Sequence, residues 1–157
     1  MTHWLKTFGC RLQRRGRKGI ALVEFALGSG VLLATFSGTF EVGYAVIQYD
    51  KLQTAVAQGA RYASLIPYDS ASTAPSSAFL SAVQRMVVYG NPTGGSSPVV
   101  PGLAAKHVSL KVSFANGVPS SMQVCITGYK INALFGSFTL TGKPQVSYRY
   151  QGVWAPA

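Results

Sequence analysis

Residues 20–40 read IALVEFALGSGVLLATFSGTF, an apolar run that contains one charged side chain, Glu24. A membrane hydrocarbon core about 30 Å thick is crossed by about 20 helical residues, so the run has the length of a single crossing. Residues 1–19 hold six basic residues and no acidic residue. Because positively charged segments stay in the cytoplasm, this asymmetry predicts a cytoplasmic N-terminus, one transmembrane pass at 20–40 and an exported remainder.

The charge and composition of the chain exclude several classes of protein. Of its 157 residues, 48% are hydrophobic, too many for a disordered chain, and 11% are charged, too few for an ordinary soluble domain. The net charge is +10, but residues 20–157 contribute only eight basic against four acidic side chains. A nucleic-acid-binding protein carries its basic patch on the folded part, so we expect no nucleic-acid partner.

Two kinds of export signal fit this N-terminus less well than a membrane anchor does. A secretory signal peptide has an uninterrupted apolar core and a small-x-small cleavage site. Here Glu24 interrupts the core, and residues 33–38 offer no clear A-x-A pattern. The arginine pair at 14–15 is typical of a twin-arginine signal, but basic residues follow at 17–18, where apolar ones are expected. We therefore expect the run to remain in the membrane as a helix.

The residues around Glu24 carry a second signal. Residues 17–25 read RKGIALVEF: basic residues, a glycine, then an apolar helix with Glu24 at the fifth position after the glycine and Phe25 beside it. This pattern resembles the processing site of type IV pilin-like precursors. The resemblance implies that a membrane-embedded prepilin peptidase cuts between Gly19 and Ile20, so that Glu24 becomes the fifth residue of the mature chain.

A cut at this position has a physical consequence for assembly. It removes the six basic residues and exposes an α-amine on Ile20, which is mostly charged at neutral pH because its pKa is about 8. A carboxylate in a membrane helix is unfavourable unless it is paired. We therefore expect Glu24 to pair with the amine of a neighbouring subunit and to select the register of assembly. The alternative is that Glu24 lies one turn from the interface and reaches water.

Small residues recur at every fourth position along the apolar run. Such a stripe lets helices approach closely in lipid, although glycine is common in membrane helices in any case, and both interpretations stay open. The stripe consists of Ala26, Gly30, Ala34 and Gly38.

The helical pattern continues beyond the membrane. In residues 41–64, EVGYAVIQYDKLQTAVAQGARYAS, apolar or small side chains recur at steps of three and four, and the first proline is Pro67. The period predicts a helix over 20–64, about 70 Å long, whose second half is exported. The predicted apolar stripe is Val42, Ala45, Val46, Tyr49, Leu52, Val56, Ala60 and Ala63, and the predicted polar face is Gln48, Lys51, Thr54, Gln58 and Arg61.

The order of residues along this helix is more specific than its period. It resembles the TadE-like family of minor pilins (pseudopilins), part of the tight-adherence (Flp pilus) machinery of bacteria, over about residues 17–64. The related TadG-like proteins are longer. The resemblance implies a bacterial inner-membrane protein with a periplasmic or extracellular C-terminal domain, partnered by other pilin subunits and the pilus assembly platform. It is carried by Glu24-Phe25, Glu41-x-x-Tyr44, Leu52-Gln53-x-Ala55 and Gly59-Ala60-Arg61-Tyr62-Ala63.

Beyond Pro67 the pattern changes to short elements. A polar linker at 70–77 precedes a short amphipathic helix at 78–89, which Ser76 or Ser77 caps. Alternating apolar residues then indicate strands. Asn116-Gly117 marks the first hairpin, with a loop that Pro119 makes longer than two residues. The predicted strands are 107–114, 122–128 and 138–150, the last broken near 142–144.

Together these elements predict an α+β, pilin-like fold, in which a long N-terminal helix packs on a small antiparallel β-sheet of three or four strands. A sheet of this size is marginal alone, so the exported half of the helix must supply part of its core. The predicted segments are a cytoplasmic basic leader at 1–19, the long helix at 20–64 and an exported α+β domain at 65–157.

No cluster of catalytic or metal-ligating residues stands out in the sequence. Cys10 and Cys125 lie on opposite sides of the predicted membrane segment and form no CxxC motif, and we expect Cys125 to be a buried strand residue. His107 has no partner pattern for catalysis. We therefore expect no enzyme, no metal, no cofactor and no small-molecule substrate. The acidic residues of the exported part are Glu41, Asp50 and Asp69.

A second function fits the same sequence: an uncut single-pass anchor that presents a small exported β domain to a binding partner. The aromatic residues near the C-terminus form such a contact surface, or they belong to the sheet. Removal of the leader discriminates between the two functions. The aromatic residues in question are Tyr129, Tyr148, Tyr150 and Trp154.

Overall fold

The computed structural model describes residues 15–132 and 136–156, with side chains from residue 19 onward. Cys10 and most of the predicted basic leader lie outside the described residues. The regular elements are α1 (Arg15–Leu65), α2 (Ser77–Tyr89), β1 (Val108–Ala115), β2 (Val118–Asn132) and β3 (Ser137–Arg149), with a short 3-10 turn at Ala105–His107 before β1.

The first element, α1, is a continuous helix of 51 residues, as the long period of three and four predicts. It ends at Leu65 because Pro67 cannot donate a helical hydrogen bond and disfavours helical backbone at Ile66. The chain divides into two compact units, Met1–Phe40 and Glu41–Ala157. The predicted α+β class, a long N-terminal helix and a small antiparallel sheet, is confirmed.

Within the second unit, one face of α1 belongs to the hydrophobic core. Leu52, Val56, Ala60 and Ala63 are buried, as the predicted stripe requires. They share a single buried cluster with side chains of α2, β1 and β2. Half-buried residues of β3 pack against this cluster. The helix therefore supplies the core that the small sheet lacks.

The edges of the predicted stripe differ from the structure. Val42 and Val46 are 64% and 61% exposed, whereas Gln48, predicted on the polar face, is only 7% exposed. The cause is Tyr129 of β2, whose hydroxyl lies 3.4 Å from Gln48 Oε1 and donates to Pro101 O at 2.8 Å. The sheet therefore covers the sector of α1 that contains Gln48 and leaves the two valines uncovered.

The three strands form an antiparallel sheet in the order β1-β2-β3. The β1–β2 connection is a two-residue turn, because Ala115 pairs with Val118, and Asn116 and Gly117 have φ angles of 52° and 79°. Positive φ at both positions is what the Asn-Gly pair supplies in tight hairpins. The prediction of a longer loop is wrong, since Pro119 lies inside β2 and a nearby bulge in the β1–β2 pairing accommodates it.

Irregular pairing between β2 and β3 changes which side chains face the core. Gly128 has a φ of 73° and lies at a register shift, so that the buried positions pass from Ile126 to Tyr129 instead of continuing the alternation of two. The break predicted near 142–144 is also an irregularity of register, and β3 continues through it. The prediction of a broken third strand is therefore wrong, and the sheet has three strands.

The second helix, α2, begins and ends where its sequence signals place it. Ser76 Oγ accepts a hydrogen bond from Phe79 N at 3.1 Å, which confirms the predicted cap, and Gly90 follows the helix with a φ of 71°. A Cβ placed on Gly59 of α1 would overlap Val87 Cγ2 of α2. The two helices therefore approach closely because residue 59 has no side chain.

The closing segment, residues 150–155, ties the end of β3 to the end of α1. Gln151 N donates to Ser64 O at 2.9 Å. The Tyr150 hydroxyl accepts a hydrogen bond from Tyr68 N at 2.8 Å. These bonds join parts of the chain that are far apart in sequence, and no local pattern predicted them.

The half-buried His107 gives the stability of the second unit a pH dependence. Ala104 N donates to its Nδ1 at 3.2 Å, and burial, followed by the charge of Lys106, lowers the pKa of His107 below its ordinary value. A depressed histidine pKa means stability that is present above the unfolded pKa of about 6.5 and lost as the pH falls below it. We expect the urea concentration at the unfolding midpoint to decrease between about pH 7.5 and about pH 5. The decrease should be larger in the wild type than in His107→Gln. Parallel profiles would contradict this.

Candidate functional site

The predicted processing bond, between Gly19 and Ile20, lies near the start of α1. Ile20 is 62% exposed, and a Cβ on Gly19 would meet no atom within 4 Å. The bond is therefore sterically open, but its backbone is helical. A peptidase that binds its substrate as an extended chain must first open the hydrogen bonds of this turn.

Glu24 and Phe25, the predicted assembly residues, both project from the exposed surface of the first unit. Phe25 is 74% exposed. Among the described side chains, none forms a hydrogen bond or an ion pair with Glu24. The described part of the chain thus supplies no partner for this carboxylate.

Three hydroxyl groups of the first unit are satisfied by the helix itself. Ser29 Oγ donates to Ala26 O at 3.0 Å, Thr35 Oγ1 to Val31 O at 2.9 Å and Thr39 Oγ1 to Thr35 O at 3.0 Å. Such bonds to the preceding turn leave the hydroxyl donors with no need for water. These polar side chains are therefore compatible with a hydrocarbon surrounding.

The predicted packing stripe, Ala26, Gly30, Ala34 and Gly38, is exposed or half-buried. A Cβ on Gly30, on Gly38 or on the neighbouring Gly28 would meet no atom within 4 Å. Glycine in a helix interior is less favourable than alanine by about 1 kcal/mol. No contact among the described residues offsets this cost, so the fold of the chain itself does not require these glycines.

From Gly19 onward, α1 is long and apolar enough to cross a membrane, judged by length and composition. None of its most apolar stretch is buried within the protein. A core helix of a soluble domain would be mostly covered by its own fold. The exposed apolar surface of the first unit therefore fits a lipid or helical surrounding better than water.

The pattern residues near the end of α1 serve mostly the packing of the second unit. Gly59 permits the close contact with α2, Ala60 is fully buried, and Arg61 is exposed. Gly59 and Ala60 therefore face the core of the second unit, whereas Arg61 faces outward, where it can contact other molecules. The other pattern residues of the second unit are Glu41 and Tyr62, which are half-buried, and Tyr44, which is exposed.

Beside Arg61, α1 and β3 border an open groove of about 400 Å³. Asp50 is its first helical residue and Arg61 its last, and neither of these two side chains forms an ion pair or a hydrogen bond with another described residue. The sequence did not predict the groove, because its far wall is Tyr148 of β3. The available signal was the shared helix face of Asp50 and Arg61. The lining residues are Asp50, Gln53, Thr54, Ala57, Gln58, Arg61 and Tyr148.

The buried polar groups of the second unit hold the fold together. Burial raises the pKa values of Tyr68, Tyr129 and Tyr150 above the ordinary value, and each hydroxyl is hydrogen-bonded. Tyr129 and Tyr150 are therefore structural, whereas Tyr148 and Trp154 are exposed. Cys125 is buried in β2, as predicted.

The arrangement of possible metal ligands can be stated for the described ranges alone. Across residues 19–132 and 136–156, no three His, Cys, Asp or Glu side chains lie together in a geometry that could hold a metal ion. The candidate site is thus a set of surfaces: the exposed helix with Glu24, the stripe of small residues from Ala26 to Gly38, and the groove between Asp50 and Arg61.

Comparison with protein families supports the resemblance drawn from the residue pattern. The family model described as TadE-like protein matches residues 19–61, less than a third of the chain. A search of curated proteins found no match, and a search of solved structures found none either. The matched segment contains Gly19, Glu24, the glycine stripe and the block that ends at Arg61. Over residues 19–61 the chain carries the TadE-like pattern, and the resemblance to that family is confirmed.

Proposed function

We propose that the chain is a TadE-like minor pilin (pseudopilin) of a tight-adherence pilus or a related secretion filament. It is inserted in the inner membrane with its N-terminus in the cytoplasm and is cut by a prepilin peptidase between Gly19 and Ile20. The pilus assembly platform then incorporates it with other pilin subunits. Its role is structural, and it carries out no catalytic reaction.

One observation carries this proposal: the apolar half of α1 is exposed and contains glycines that nothing in the described chain requires. Lipid alone would cover the apolar side chains, but it does not explain why every fourth residue is small, at Ala26, Gly30, Ala34 and Gly38. A neighbouring helix does, because small residues let two helix backbones approach closely. The stripe lies inside the segment that matches the TadE-like family.

Glu24 supports the same function through its charge. An ionised side chain in a membrane helix is unfavourable by about 3 kcal/mol at the helix centre, and such residues usually pair or face an aqueous cavity. Glu24 has no partner among the described side chains. The α-amine that cleavage would create on Ile20 is a cation of the right kind, carried by a neighbouring subunit.

The first test is the N-terminal sequence, with intact mass, of the protein purified from its own host. We expect a mature chain that begins Ile-Ala-Leu-Val-Glu. A chain that keeps residues 1–19 in cells with an active prepilin peptidase would favour the uncut membrane anchor with an exported binding domain. A cut near residues 34–39 would indicate a secretory signal and would contradict the roles given to Glu24 and α1.

Glu24→Ala should separate membrane insertion from assembly. We expect unchanged amounts in the membrane but at least a tenfold loss from sheared filaments, because removing one partner of a desolvated charge pair costs more than the roughly 1.4 kcal/mol that corresponds to a factor of ten. Quantitative immunoblots of the membrane and filament fractions measure both amounts. Ser29→Ala is the control, since Ser29 bonds only within its own helix and should incorporate normally. Equal incorporation of both variants would contradict the assembly role.

A further inference from the structure

The groove beside α1 is a surface that the membrane does not explain, because it lies in the second unit. Its helical side carries opposite charges at its two ends, Asp50 and Arg61, with the small side chain of Ala57 between them. Eleven positions correspond to about three helical turns, so the two charges share one face and lie about 16 Å apart along the axis. They are too far apart to meet within one molecule.

We propose that this face binds a second copy of the chain, with Asp50 of one copy against Arg61 of the next. The two α1 helices are parallel and displaced by about 16 Å along their axes. Pairing of Glu24 with the Ile20 amine requires a displacement of only about four positions, so that pair forms with a different neighbour of the same subunit. The proposal rests on the proposed function, because subunits inserted with the same orientation in one membrane present parallel helices to each other. Charge complementarity identifies the occupant: the face carries both members of the ion pair, so a copy of itself is the simplest partner that satisfies both.

A second pair of residues fits the same displacement. Shifting one helix by eleven positions brings Val46 of one copy opposite Ala57 of the other. Val46 is exposed although it is apolar, and Ala57 is small and lines the groove. Burying Val46 over Ala57 removes apolar surface from water and so stabilises the contact between the two copies. An exposed ion pair alone would contribute little to this contact.

Other arrangements of two copies fit less well. Parallel helices without displacement place Asp50 opposite Asp50 and Arg61 opposite Arg61, where like charges repel. An antiparallel pair would satisfy the charges but requires the two chains to insert in opposite orientations. The displaced contact is heterologous, since each copy offers a different part of its face to each neighbour. Such contacts repeat without closing and generate a filament.

Disulfide cross-linking in the host membrane and filament fractions tests the contact with the full chain. Every variant carries Cys10→Ser and Cys125→Ser, so that the introduced thiols are the only ones. Asp50→Cys/Arg61→Cys should give a ladder of dimers, trimers and higher species on oxidation, because each copy has two different neighbours. Each single variant alone should give no product, and co-expressed single variants should give dimers only. A bridge within one chain is excluded, since the Cα atoms of a disulfide lie within about 7 Å.

A matched control moves one thiol off the face. Lys51 is exposed and lies about 100° around the helix from Asp50, so Lys51→Cys/Arg61→Cys should give no ladder. Dimers from Asp50→Cys alone would show copies without displacement and would overturn the proposal. No ladder from any variant in mature, filament-forming protein would overturn it too, while leaving the pilin function intact. No ladder in protein that keeps residues 1–19 would overturn both.

Charge reversal gives an independent measurement. With Val46→Cys/Ala57→Cys as the cross-linking pair, Asp50→Arg or Arg61→Asp alone should reduce the ladder severalfold, because each creates a like-charge contact. The double reversal, Asp50→Arg/Arg61→Asp, should restore it, since the pair is then re-formed with its signs exchanged. Failure of the double reversal to restore the ladder would indicate a different partner protein and would contradict binding of a second copy.

Discussion

Gly152→Ala is expected to lower the free energy of unfolding of the second unit by about 2–3 kcal/mol, a large effect for one methyl group. A Cβ on Gly152 would lie 2.6 Å from Ile66 O and 2.7 Å from the Tyr150 hydroxyl oxygen. Neither atom can move freely, because Ile66 O is backbone and the Tyr150 hydroxyl is bonded to Tyr68 N and lies 3.1 Å from Ile66 O. The methyl group must therefore push the closing segment away from the end of α1.

Urea unfolding of the full chain in detergent, followed by circular dichroism, measures this loss of stability. Hydrogen exchange locates it, since the Gln151 amide, which bonds to Ser64 O, should lose its protection first. Gly136→Ala is the control, because a Cβ there meets no atom within 4 Å, and its effect should stay within about 0.5 kcal/mol. An unchanged midpoint together with a protected Gln151 amide in Gly152→Ala would contradict the steric argument.

Gly59→Ala should destabilise the same unit by about 1–3 kcal/mol, although alanine is the better helix former. The new Cβ would overlap Val87 Cγ2 across the α1–α2 contact. Val87 is fully buried, so its side chain has little room to turn away. Gly43→Ala in the same helix meets no atom within 4 Å and should instead raise stability by about 0.5–1 kcal/mol.

A double-mutant cycle makes the cause of this effect measurable. Val87→Ala alone leaves a cavity and lowers stability, but it also removes the atom that the methyl group introduced by Gly59→Ala would overlap. The double variant should therefore be more stable than the sum of the single effects, by about 0.5–3 kcal/mol. If the two changes in the free energy of unfolding are additive, Gly59 acts through helix propensity or the unfolded chain rather than through its contact with α2.

Elements with a regular period could be predicted from the sequence. The spacing of Leu52, Val56, Ala60 and Ala63 gave the buried face of α1, and Ser76 gave the start of α2. A period describes one segment at a time, however. It placed Gln48 on the polar face because it carries no information on how far Tyr129 reaches across α1.

The errors in the sheet have one physical origin. Strand alternation assumes a uniform ladder, whereas Gly128 and Gly142, both with positive φ, lie where the β2–β3 pairing is irregular. A glycine in a strand pattern can equally mark a turn or a bulge, and its neighbours do not decide between them. For this reason the Asn116-Gly117 pair predicts a turn correctly, whereas the glycine at 142 wrongly predicts a break in β3.

Of the candidate site, the part within one helix followed from the sequence, and the part between elements did not. Glu24, the small-residue stripe and the Gly59–Arg61 block lie within a single continuous stretch that matches the TadE-like family. The groove needs Tyr148, and the closing segment needs contacts between Tyr150 and the end of α1. Such contacts depend on the folded chain path and have no local signature.

The closing segment also sets an order of events during synthesis. The residues whose carbonyl oxygens it binds, Ser64 and Ile66, are translated long before Tyr150 and Gln151. The second unit can therefore complete its hydrogen bonds only after residue 155 has been synthesised and has left the ribosome. Until then the second unit lacks the bonds that join its last residues to the end of α1, so its fold stays incomplete while the chain is being synthesised.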